Sequence, residues 1–105
     1  MTESDWKTFK KIKEIAIEKF CTLSLAEFRE AMDDESVHIH NRYLLNYKLV
    51  QNRDKQMALL FDEHSRSKAS LQLLAIRGEG LADEVLISKL SEEFLRETDP
   101  KNHNY

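Results

Sequence analysis

Cysteine, proline and glycine are almost missing from this chain of 105 residues: one Cys, one Pro and two Gly. A lone Cys21 excludes an intrachain disulfide framework. So little Gly and Pro excludes collagen-like and linker-like chains. Long apolar runs are also missing. The longest, Met57-Ala58-Leu59-Leu60-Phe61, is far short of the roughly 20 residues a bilayer span needs. The opening Met-Thr-Glu-Ser-Asp-Trp lacks the basic and then apolar regions of a secretory signal. With one unpaired thiol, this reads as a cytoplasmic protein without membrane attachment. Nor does either sign of charge dominate. Lys plus Arg is 16 against 19 Asp plus Glu, net −3, spread evenly over both halves. That balance disfavours a general phosphate-binding surface and hence nucleic acid.

What the chain does have is helical periodicity. Trp6, Phe9, Ile12, Ala16 and Phe20 recur at spacings of three and four, which predicts an amphipathic helix from about Ser4 to Cys21, capped by Ser4 or Asp5. Thr22-Leu23 reads as a connector. Ser24-Leu25-Ala26-Glu27 then reads as a capping box opening a short helix to about Asp34. A long segment follows from about Val37 to Phe61, with apolar residues on more than one side. At 25 residues it would span roughly 38 Å, more than the roughly 33 Å diameter of a domain this size. It therefore crosses the domain, projects from it, or is broken. Three shorter helices follow. Gly78 and Gly80 end the first, the second runs from Leu81 to Leu90 with Asp83 and Glu84 in its first turn, and Ser91 caps the last before Asp99-Pro100. No alternating β-branched run suggests a strand. The expected fold is all-α: a compact bundle of five to six helices around a long central one. Residues 1–99 form the domain and 100–105 a disordered tail.

Few residues point to chemistry. His38 and His40 would lie about 200° apart on a helix and so cannot share a metal. Cys21 beside the apolar face reads as a small buried hydrophobe. Lys7, Lys10, Lys11 and Lys13, with Trp6 and Phe9 among them, form the one basic cluster. Neighbouring Glu and Asp residues at helical spacing neutralise it. Arg66-Ser67-Lys68 opens a helix without the Gly-rich loop of a nucleotide site. Residues 65–90 have the outline of a helix-turn-helix, but its second helix carries Asp83, Glu84 and only Lys89. Asp54 is the most informative position. It falls on the stripe between Val50 and Met57, so a buried carboxylate partnered by Arg42, Arg66, Tyr43 or Tyr47 is expected there. These five residues are the candidate pocket or ion-pair set. No residue is assigned to catalysis, cofactor or metal binding.

Arg42-Tyr43-Leu44 with Tyr47, and Phe61-Asp62 with Arg66-Ser67 and Ala69, resemble small all-helical bacterial proteins of unassigned function. The resemblance covers most of the chain and implies an all-helical domain, with no activity attached. The functional expectation is a protein–protein interaction, adaptor or regulatory module, with an unidentified partner or a second copy of itself. The alternatives are a nucleic-acid-binding regulator using the basic first helix, and a small enzyme or metal protein.

Overall fold

The computed structural model describes residues 1–103 and is all-α over them. Its elements are α1 (Glu3–Asp33), α2 (Ile39–Phe61), α3 (Arg66–Gly78), α4 (Glu84–Ile87) and α5 (Glu92–Glu97), with a 3-10 turn at Pro100–Asn102.

The first helix is one piece where the sequence suggested two. Nothing between Thr22 and Ser24 breaks it. The Thr22 hydroxyl donates to the Glu18 carbonyl one turn back, a bond made inside a helix. Ser24 is buried in the helix, and Glu27 is held by Arg53 rather than by a capping box. At 31 residues, α1 runs for about 46 Å. Its cap lies earlier than expected. The Thr2 hydroxyl accepts from the Asp5 N–H, while the Asp5 carboxylate accepts from the Thr2 N–H.

At the far end of α1 the chain reverses within five residues. Asp34 accepts from both the N–H and the hydroxyl of Ser36. These bonds from Ser36 hold its carboxyl below the usual range. The last turn of α1 contains no basic residue. Arg42 supplies the missing cation, donating to the Met32 carbonyl at 3.1 Å and to Val37 at 2.9 Å, where it meets the negative end of the helix dipole. The next helix, α2, is continuous but not central. Only Leu60 and Phe61, at its last turn, are buried.

A left-handed Glu63, φ 63°, turns the chain into α3. Gly80, φ 70°, closes α3: the Leu81 N–H reaches the Ile76 carbonyl and the Gly80 N–H reaches Arg77. That paired arrangement needs the left-handed conformation which Gly adopts without strain. Ser91 caps α5 as expected, whereas Asp83 lies outside α4 and caps it, and that helix is only Glu84–Ile87 where Leu81 to Leu90 was expected. The tail is ordered further than expected. Asp99 caps Pro100–Asn102, and Asn102 donates to the Arg96 carbonyl. Residues 104 and 105 lie outside the described residues.

One core holds these elements at one end of the molecule. It contains Trp6, Phe9, Ile12 and Ala16 of α1, the last turn of α2, Ala69, Leu73 and Ile76 of α3, and Leu81, Ile87, Leu90 and Phe94. Polar clamps close it. Both Asp5 oxygens accept from Ser91, at 2.9 and 2.7 Å. Burial alone would raise the Asp5 pKa, but the bonds from Ser91 and Thr2 outweigh it and hold the carboxyl below its usual range. Gln72 donates to the Asp62 and Glu63 carbonyls and accepts from Lys13. Burial pushes the Lys13 ammonium down in pKa, and Asp62 partly offsets this.

We call this end the head. The rest of α1 and α2 leaves it as a two-helix arm. The molecule therefore measures 53 × 25 × 23 Å, with a radius of gyration of 16.6 Å, against about 13 Å for a compact chain of this length.

Candidate interaction surface

The arm, residues 25–59, contains no buried residue. The reason lies in which residues α2 turns toward α1. Arg42, Asn46, Leu49 and Arg53 follow at four, three and four, and all are half-buried. Arg53 grips Glu27 through two nitrogens, at 2.6 to 2.9 Å, a fork-to-fork geometry favoured by guanidinium and carboxylate. Asn46 donates back to the Arg42 carbonyl. Three of these four seam positions are polar, so the arm is zipped by polar groups.

The apolar side chains of α2 consequently flank the seam and face water. Along one flank run Ile39, Tyr43, Tyr47 and Val50, with Tyr43 71 % exposed. Together with Met32, Arg42 and Asn46 they line a groove of about 560 Å³. On α1, Leu25 and Phe28 lie on the same helical stripe as Met32 and extend that flank. Along the opposite flank Leu45 and Leu49 face Glu27, Glu30 and Ala31. That side continues into a cleft of about 510 Å³ between arm and head, lined by Leu23, Leu59, Leu60, Leu81 and the Arg53–Glu27 pair. Leu59 is 84 % exposed. Of the fourteen large apolar side chains exposed among the described residues, nine lie in the arm. A compact chain of this mass would expose about 6,100 Å²; this one exposes 7306 Å².

The structure keeps Asp54 and Arg66 apart from the other three residues of the expected set. Asp54 is exposed, and among the described residues no hydrogen bond or ion pair holds it. The expectation of a buried, partnered carboxylate fails because the stripe it occupies faces solvent rather than a core. Arg42 is committed to the carbonyls of Met32 at the end of α1 and Val37 in the turn, and Arg66 pairs with Glu3 on the head at 2.6 Å. Arg42, Tyr43 and Tyr47 do share one place, the groove. His38 caps α2 through its own ring nitrogen, accepting from the His40 N–H. Among the described residues, no group of three or more His, Cys, Asp or Glu is placed to hold a metal ion.

The basic cluster is also dispersed. Lys13 is buried and Trp6 and Phe9 belong to the core, so neither ring is free to stack on a base. Lys10 and Arg66 lie over the Trp6 ring, at 5.7 and 5.4 Å. Among the described residues, no helix is long and apolar enough to cross a membrane.

The flank as an element escaped the sequence reading, although two signals for it were present. One was the length of α2 against the domain diameter. The other was the polar 42–46–49–53 spacing, which marks the true inner face. Compared with protein-family models, curated proteins and solved structures, the chain matches none, so its function is argued from its own geometry.

Proposed function

We propose that this chain is a protein–protein interaction module that docks through its arm. One observation carries the reading: over residues 25–59 nothing is buried, yet nine large apolar side chains are exposed. Two helices joined across their seam by the Arg42 and Arg53 side chains gain little from burial. An apolar flank of this extent marks a surface that another protein covers. The head serves as the anchor. It has its own core and polar clamps, and it fixes the direction in which both arm helices leave.

The test is site-specific photo-crosslinking in cells expressing the full chain. Tyr47→benzoylphenylalanine places the reactive group on the arm, and the same substitution at Glu92 places it on the head. A discrete protein adduct from position 47 that is absent from position 92 is expected. The same adducts from both positions, or none from position 47, would overturn the reading.

A further inference from the structure

We infer that the protein covering the tyrosine-bearing flank is a second copy of this chain, packed antiparallel about a two-fold axis beside Asn46 and Tyr47. This rests on the interaction reading above. It commits to one occupant on four grounds.

The flank is self-complementary when reversed. With the axis between residues 46 and 47, Tyr43 of one copy meets Val50 of the other, a large side chain against a small one. A parallel pairing would set Tyr43 against Tyr43. Reciprocal contacts of this kind define a two-fold interface.

The charges reverse along the arm. Between residues 30 and 41 there are four carboxylates, Glu30, Asp33, Asp34 and Glu35, and no Lys or Arg. Between 48 and 55 Lys48 and Lys55 stand against Asp54, while Arg53 is already neutralised by Glu27. Antiparallel arms bring each acidic tip beside the basic stretch of the other copy, whereas parallel arms stack acid on acid. Asp54, unpartnered in one copy, then lies near His40 of the second.

The lengths agree. From the axis to the tip is roughly 16 Å of helix, and from the axis to the head roughly 20 Å. Each tip therefore stops short of the other head.

The area is sufficient. Tyr43 and Tyr47, at 71 % and 58 % exposure, offer roughly 250 Å² between them. Leu25, Met32, Ile39 and Val50 bring the flank to roughly 650 Å², most of the roughly 800 Å² each partner gives a standard interface. Polar rim atoms supply the remainder.

The experiment uses the purified full chain. Tyr47→benzoylphenylalanine is irradiated, and single-cysteine variants on a Cys21→Ser background are mildly oxidised. An adduct of twice the chain mass is expected, together with a disulfide between Tyr43→Cys and Val50→Cys when mixed but not within either alone. Tyr47→Glu should weaken self-association by about tenfold or more while leaving the head's denaturant midpoint unchanged. Self-linking of Tyr43→Cys alone would mean parallel arms and overturn the arrangement. Unchanged self-association in Tyr47→Glu would also overturn it. No adduct from the purified chain but one of another mass in cells would remove the second copy and leave the interaction reading standing. No adduct in either setting would remove both.

Discussion

Between Asp5 and Ala16 the first helix gives Trp6, Phe9, Ile12 and Ala16 to the interior. Between Leu25 and Asp33 the same helix repeats the spacing with Leu25, Phe28 and Met32 and buries none of them. The second helix has the opposite polarity: its arm portion buries nothing, and its last turn buries Leu60 and Phe61. Head and arm are thus made from the same two helices and differ in what surrounds them. Three further helices wrap the head, and of these α3 meets only the base of the arm, beside Ala58 and Leu59. Apolar periodicity marks a face that is to be covered without saying by what. In the head the cover is the rest of the chain, and in the arm we assign it to another protein.

The sharpest way to break this comparison is to truncate one large apolar residue at each end. Phe9→Ala should lower stability by about 3–5 kcal/mol, since Phe9 is wholly buried and its removal leaves a cavity. Tyr43→Ala should cost less than about 0.5 kcal/mol in dilute protein, as expected of an exposed site. Urea melts of both variants measure the contrast. Comparable losses would mean that the arm is already part of a core.

The next test concerns the clamp that ties the start of α1 to α5. Asp5→Asn should cost about 1–3 kcal/mol at neutral pH, the range for disturbing a buried hydrogen-bonded charge. The sign with pH follows from the lowered pKa. A depressed carboxyl stabilises the fold above its unfolded pKa and loses that contribution as pH falls through the folded one. The gap between wild type and Asp5→Asn should therefore close below about pH 4. Melts at several pH values, followed by tryptophan fluorescence, would show it. A gap constant with pH would contradict the assignment.

Within the arm, Arg53→Ala should lower stability by only about 0.5–1 kcal/mol, because the Glu27 pair is part-exposed and screened. Its effect should shrink with added salt. A change of similar size but opposite sign is expected in the head. Glu63→Gly removes the cost of a left-handed non-glycine residue and should stabilise the head by about 0.5–1 kcal/mol. A loss there in thermal melts would show that the Glu63 side chain contributes contacts that outweigh its backbone strain.

Much of this was legible in the sequence because it is local. The Trp6–Phe9–Ile12–Ala16 stripe, the Gly80 stop and the Ser91 cap depend on residues within a few positions of one another. The joining of the first two helices was not legible, because Thr22 and Ser24 carry the same side chains whether they cap a helix or lie inside one. The Asp5–Ser91 clamp spans 86 positions and leaves no local signal. Asp54 was misjudged for a related reason: the stripe it interrupts was visible, but whether that stripe faces a core or water is decided by elements elsewhere in the chain.

The central claim is that the arm is completed only by a partner, and amide hydrogen exchange of the purified chain tests it most directly. Exchange in residues 43–58 of α2 is compared with residues 69–76 of α3 as protein concentration is raised. The account predicts that in dilute protein the α2 arm exchanges far faster than α3, and that it gains protection as copies associate while α3 does not change. An arm as protected as α3 at every concentration would contradict it.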